Sequence, residues 1–340
     1  MADATPAVRD VFLPVHAQES ADDFVDIAVR AEALGYERVW LPETWGRDAV
    51  SLLSIIADRT ETIGVGSGIL NVYSRSPALL GQTAATLQER SDGRFRLGLG
   101  PSGPALVEGW HGVDYEHPLR RTREAVEIVR AVTRGETVEY DGDVFQLGGF
   151  RLRCDPPETP PPVDATGMGP KAVELCGRFA DGWHALMLTP DGLADRISAL
   201  ERGADLGGRS VDDVRVTLSL PCCVAADRER ARTLVAGHVA FYVAAMGEFY
   251  RRALASQGYE ATAEAVTAAW QEGDVAAARA AIDDDLLDDL GVAATPDTAR
   301  DRLRRFAAVE GLDAVAVSFP RGANAEDVET TLRELAPVGG

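Results

Sequence analysis

Glu43 closes the β-rich run ERVWLPE and is followed by Thr44 and Trp45, so a carboxylate, a hydroxyl and an indole arrive together at the end of a strand. Such a carboxylate serves as a general acid or base, with Trp45 stacking on a ring system, or it stabilises the next helix start as a first-turn anion. Residues 166–171, Thr-Gly-Met-Gly-Pro-Lys, offer different chemistry. Gly167 and Gly169 free backbone N–H groups at the N-terminus of a helix, where the dipole favours a phosphate; the other reading is a tight strand-to-helix turn. The spacing is not that of a P-loop. In residues 61–81, ETIGVGSGILNVYSRSPALLG, Gly64, Gly66 and Gly68 alternate with Ile63, Val65, Ser67 and Ile69. One face of that strand lacks side chains and accepts either a flat ligand or close packing.

His111 and His117, with Glu108 and Glu116 nearby, sit in a long loop where they can line a pocket, as His16 and His184 can elsewhere. Their spacings match no metal-binding set, and no metal is expected. Cys154, Cys176, Cys222 and Cys223 have no C-x-x-C spacing and read as buried thiols. No G-x-S-x-G elbow points to a hydrolase.

Short β-rich runs alternate with longer helical ones along the chain, the pattern of βα units on a parallel sheet. The expected strands are 8–15, 37–43, the glycine run near 63–69, 95–100, 163–167, 182–188, 214–225 and 312–320. After the fourth strand come a long loop, a helix over 119–133 and a β-hairpin turning at Asp141-Gly142. Residues 228–290 are alanine-rich and helical, and they are far longer than a link between the seventh and eighth strands requires. The expectation is a single-domain (β/α)8 TIM barrel over 1–340, with a helical insertion at about 228–290 and a hairpin excursion after strand four. In that fold the site lies at the C-terminal ends of the strands, which gathers Glu43, Gly68 to Tyr73, Gly100 to Gly103, Thr166 to Lys171, Leu188-Thr189 and Ser318 to Arg321 at one mouth.

The 340 residues carry 54 acidic against 34 basic side chains, a formal charge of −20, and Lys171 is the single lysine. This balance argues against nucleic acid and anionic membrane surfaces as partners. Acidic groups spread along the whole chain suit a salt-rich cytoplasm, where screening removes their repulsion. No run of eighteen apolar residues offers a membrane span, and MADATPAVRD lacks the features of a signal peptide, so a cytoplasmic protein is expected.

The stretches VWLPETWGRDAV, TIGVGSGILNVYSRSPALLGQTAATLQERSDGRFRLGLGP, ATGMGPKAVELCGRFADGWHAL, the Cys222-Cys223 pair and QEGDVAAARAAIDDDLL with GVAATPDTA together resemble the bacterial-luciferase-like superfamily. The similarity runs essentially end to end and is greatest to its methylenetetrahydromethanopterin reductase branch. The resemblance implies hydride transfer with coenzyme F420, a deazaflavin, acting on a small organic substrate of the CH–NH or CH–OH type. It implies a non-proline cis peptide at Gly68–Ile69 backing the deazaflavin ring, with Asn71 and Thr44 beside it. Thr166, Gly167, Met168 and Gly169 would hold the coenzyme's phosphate, with Leu188 nearby. Glu43 would act near the reacting face, with His111 and Glu108 as further pocket groups, and the protein would form a homodimer or larger assembly. The chain departs from the reductase pattern where it has Val11-Phe12-Leu13 and Pro101-Ser102-Gly103-Pro104 in place of segments bearing carboxylates, and Thr44 in place of a histidine. An FMN-dependent monooxygenase and a non-catalytic deazaflavin-binding protein are the alternatives.

Overall fold

The structure, a computed structural model, describes residues 8–15 and 20–337; His16 lies outside them. Twelve strands run β1 (Val8–Phe12), β2 (Arg38–Leu41), β3 (Gly64–Ser67), β4 (Leu70–Asn71), β5 (Phe95–Gly100), β6 (Val138–Asp141), β7 (Gln146–Phe150), β8 (Val163–Thr166), β9 (Gly182–Leu186), β10 (Arg215–Val224), β11 (Val292–Ala294) and β12 (Ala314–Ser318). Eight of them, β1-β2-β3-β5-β8-β9-β10-β12, pair in parallel, and β12 returns to β1, so the sheet closes into a barrel. This is the expected (β/α)8 fold. β4 extends the ladder on β5, and β11 pairs with the far end of β10. β6 and β7 form an antiparallel hairpin whose turn spans 142–145.

Helices α1 (Asp22–Ala33), α2 (Ala49–Arg59), α3 (Pro77–Arg90), α4 (Pro104–Gly109), α5 (Pro118–Thr133), α6 (Pro170–Phe179) and α7 (Pro190–Leu206) cover the first part of the barrel. Between β10 and β11 lie α8 (Arg228–Ala245), α9 (Glu248–Leu254), α10 (Glu260–Gln271), α11 (Val275–Ala280) and α12 (Asp284–Leu290). α13 (Pro296–Ala307) and α14 (Ala325–Leu335) complete the set. Local chemistry sets the starts: the Asp48 carboxylate accepts from Ser51 N at 2.7 Å, and Ser76 Oγ accepts from Leu79 N ahead of Pro77. Val235, Val239, Leu254, Val266 and Leu287 form an apolar cluster for α8 to α12, separate from the main core.

The barrel interior is polar toward the starts of the strands. Arg215, on β10, reaches Asp10, on β1, at 3.1 Å, and Trp40 Nε1 donates to the same carboxylate at 2.8 Å. Arg96 pairs with Asp164 at 2.5 Å, and His184 Nε2 lies 3.2 Å from that carboxylate. The His184 ring stands edge-on to Trp40 with centroids 4.4 Å apart, a contact between β9 and β2 that only the interior allows. Burial pushes the Asp164 carboxyl up, but the Arg96 guanidinium and the His184 hydrogen bond outweigh it and hold the group well below the usual range. For Asp10 burial prevails over Arg215 and Trp40, and its pKa is raised.

Space for these side chains comes from the glycines. A Cβ on Gly64 would meet the Arg38 guanidinium, one on Gly66 the Trp40 ring, and one on Gly68 the Phe12 ring. Of the two readings of that side-chain-free face, close packing is the one realised along β3.

Candidate functional site

At the C-terminal mouth the backbone leaves β3 through a cis peptide between Gly68 and Ile69, both partly exposed, before β4 resumes pairing. Glu43 N donates to Ile69 O at 3.4 Å, which ties the end of β2 to this bend. Asn71 is buried, and its Oδ1 accepts from Tyr73 N at 2.9 Å and Ser74 N at 2.7 Å, closing the turn that follows β4. Its Nδ2 lies 3.1 Å from His111 Nε2, so the amide joins this turn to the loop after β5. Gly68, Ile69, Asn71, His111 and Glu43 are thus linked through short contacts.

Both carboxylate oxygens of Glu43 are hydrogen-bonded. Arg75 meets it at two points, Nη1 to Oε2 at 2.5 Å and Nη2 to Oε1 at 2.8 Å, and Nη2 also reaches Asp48 at 2.8 Å. Ala49 N, the first residue of α2, donates to Glu43 Oε1 at 3.2 Å. The helix-start reading of this carboxylate is therefore the one seen, strengthened by a bidentate guanidinium pair. Arg75 was not singled out from the sequence, because an arginine between Ser74 and Ser76 in a polar loop reads as surface; its side chain is 16% exposed.

A second group gathers at the ends of β8 and β9. Thr166 Oγ1 donates to His184 O at 2.9 Å, and a Cβ on Gly100 would touch the Thr166 methyl, so this group adjoins the first. Gly167 O accepts from Trp183 Nε1 at 2.9 Å and Met168 O from Arg196 Nε at 3.1 Å. Gly169 caps α6, and a Cβ there would meet nothing within 4 Å. The helix start is held by its carbonyls and stays open in front of Gly169, as an anion requires. Lys171 takes no part: it is 81% exposed and pairs with Glu174 at 2.7 Å. Gln257, in the segment after α9, accepts from Thr189 N at 2.9 Å and donates to Met187 O at 3.0 Å, clamping the turn after β9.

Several expected residues stand elsewhere. Leu188 is buried in the main core, so its side chain presents nothing to a ligand. Thr44 lines a separate cleft of about 100 Å³ with Phe24 and Leu52, on the helix side of the β2 loop. Glu108 is exposed on α4 and accepts from Tyr115 N at 3.3 Å, with no bond to His111. Trp45 is 46% exposed and does not fill the core. His184 is buried inside the barrel, and His117 caps α5 from an exposed, left-handed position. Among the described residues no group of three or more His, Cys, Asp or Glu side chains is placed to hold a metal, and no helix is long and apolar enough to cross a membrane.

A barrel with its mouth built in this way matches one family over nearly its whole length. The model of the luciferase-like monooxygenase family covers residues 8–312, and the chain belongs to that family. It is 30% identical over 311 residues to a 5,10-methylenetetrahydromethanopterin reductase of Archaeoglobus fulgidus, a match spanning 90% of this chain and 92% of the relative. It is also 30% identical over 296 residues to a putative coenzyme F420-dependent oxidoreductase of Mycobacterium tuberculosis, covering 82% and 85% of the two chains. The solved F420-dependent tetrahydromethanopterin reductase of Methanopyrus kandleri superposes with a TM-score of 0.82 at 23% identity, over 98% of this chain and 99% of that one, a likeness of fold.

Proposed function

We propose that this protein is a coenzyme F420-dependent oxidoreductase that passes a hydride between the deazaflavin and a small organic substrate at the barrel mouth. The observation that carries the reading is the presence of two features at the same barrel mouth, on either side of β5. One is the open N-terminus of α6 at Gly169; the other is the partly exposed Gly68–Ile69 bend joined to Asn71 and His111. The residues fit such a coenzyme: Thr166 to Gly169 would take its phosphate at the helix start, and the partly exposed Gly68–Ile69 bend would border its ring, with buried Asn71 fixing the turn behind it. When bound, F420 supplies a two-electron hydride carrier that does not activate oxygen. Glu43 and Arg75 hold the β2 end and the turn after β4 in register, which makes them positioning residues. His111, fixed by Asn71 and half-buried, is the group at this mouth suited to move a proton.

The activities of its relatives support reduction or oxidation at a CH–NH or CH–OH carbon, with a substrate in the manner of methylenetetrahydromethanopterin reductase. In this reading the chain is one catalytic domain, with α8 to α12 as an elaboration of the barrel. It assembles as a homodimer or larger through helices bearing exposed Val29, Ile55 and Leu79.

Purified apoprotein titrated with reduced F420 and then with FMN tests the assignment. Saturable F420 binding with hydride exchange is expected; tight FMN binding without deazaflavin affinity overturns it. The family's description favours one second reading, an FMN-dependent monooxygenase, which would consume oxygen when given reduced flavin.

A further inference from the structure

At the end of the barrel opposite the candidate site, a cavity of about 570 Å³ opens between the starts of β5, β8 and β9. Four arginines line it from three separate segments: Arg96 on β5, Arg130 and Arg134 at the end of α5, and Arg209 after α7. Asp181 and Asp213 are the carboxylates in its wall. In a chain with 54 acidic and 34 basic residues, four guanidiniums converging on one space against two carboxylates run against the overall charge.

The arginines' own partners leave part of this charge uncompensated. Arg130 pairs with Asp181 at 2.6 Å, and Arg96 turns its strongest contact inward to Asp164. Arg209 donates to the carbonyl oxygens of Ala180 at 2.7 Å and Asp213 at 2.9 Å, which supply no countercharge. The Asp213 carboxylate is turned to Ser210 N. Arg134 has Glu136 at 3.8 Å, with both side chains more than half exposed, a pair worth little. Countering helix C-terminal dipoles explains Arg134 and Arg209 but not their meeting Arg96 and Arg130 around a cavity.

We propose that this cavity is a binding site for a small multivalent oxyanion, bearing at least two phosphate or carboxylate groups, with Arg130, Arg134 and Arg209 as its donors. The full-length protein is titrated calorimetrically with pyrophosphate and, separately, with citrate at constant ionic strength. Saturable binding of one equivalent is expected for at least one probe, and which probe binds separates the phosphate from the carboxylate source. Arg134→Gln and Arg209→Gln each weaken that binding tenfold or more, whereas Arg59→Gln, which removes the same charge from exposed α2, leaves it unchanged. Arg134 is exposed, so its variant decides the matter should Arg209→Gln fail to fold. Gly169→Asp retains the binding; if it abolishes it, the anion sits at the start of α6 and the proposal fails. It also fails if neither probe saturates or if Arg134→Gln binds like the parent.

Discussion

Glu43 and Arg75 meet at two points across the β2 and β4 loops, at 2.5 and 2.8 Å, with the carboxylate 9% exposed. A bidentate pair at such burial restrains both loops, and removing one partner leaves the other's charge unmatched. Glu43→Gln and Arg75→Gln are each expected to cost about 1–3 kcal/mol of unfolding free energy. The double variant should lose less than the sum of the two, which a double-mutant cycle in urea measures. In the proposed reaction, Glu43→Gln lowers turnover while F420 affinity stays within about threefold, a change of about 0.7 kcal/mol. Additive losses of stability would show that the two residues are not coupled.

Gly66 and Gly98 are expected to tolerate no side chain. A Cβ on Gly66 runs into the Trp40 ring, and one on Gly98 into the Ser67 carbonyl, which has no softer position to take. Gly66→Ala should lose about 1–3 kcal/mol through overpacking, and Gly98→Ala more, up to failure to accumulate as folded protein. Chemical denaturation and the soluble yield check both, and a Gly98→Ala protein as stable as its parent would contradict this packing.

Asp164 sets an expected pH dependence. Its folded-state pKa is depressed below the unfolded value, so its stabilisation is fully present above about pH 4 and is lost as pH falls toward the lower folded value. Asp164→Asn should be less stable by about 3–5 kcal/mol at pH 7, with the gap to the parent narrowing only below about pH 4. Asp10 works the other way. Its raised pKa means that the ionised form is penalised by burial, so Asp10→Asn should cost less than Asp164→Asn. Urea unfolding of the three proteins between pH 3 and pH 7 decides the order.

Gly169 and Gly167 should separate binding from stability. Gly169 faces open space, so Gly169→Asp should leave the melting temperature nearly unchanged while weakening F420 by tenfold or more, since a carboxylate would oppose the phosphate. Gly167→Ala meets Ala172 on α6 and should destabilise the protein whether or not coenzyme is present. Equal F420 affinity in parent and Gly169→Asp would remove the α6 N-terminus from the proposed site.

Barrel strands were legible because each is a short apolar run ended by glycine, proline or a polar turn, and the eight runs fall at the positions expected from them. The two-residue β4 and three-residue β11 were not, since neither is long enough to show a period. α4 falls where a loop is expected, although Pro104 directly after Gly103 is a helix-start signal. Inside the barrel, Arg38, Arg96, Asp164 and Arg215 are each the one charge within their strand and Asp10 follows Arg9 in β1, so nothing local marks them as interior. Their pairing joins residues up to 205 positions apart, as for Asp10 and Arg215, and local pattern carries no record of it. At the mouth, the glycines of the α6 start follow from backbone chemistry, whereas the cis peptide at Gly68–Ile69 and the place of Asn71 are expected from the resemblance alone. The mouth was not legible at Glu43, because the partner that occupies it, Arg75, is known only once the loops are folded.

Lys171 stands 81% exposed two residues beyond Gly169 and is the chain's single lysine. Amine-directed labelling therefore has one side-chain target besides the terminal amine, at the threshold of the 166–169 turn. A fluorophore or spin label attached there, with the terminal amine blocked beforehand, would report on that turn.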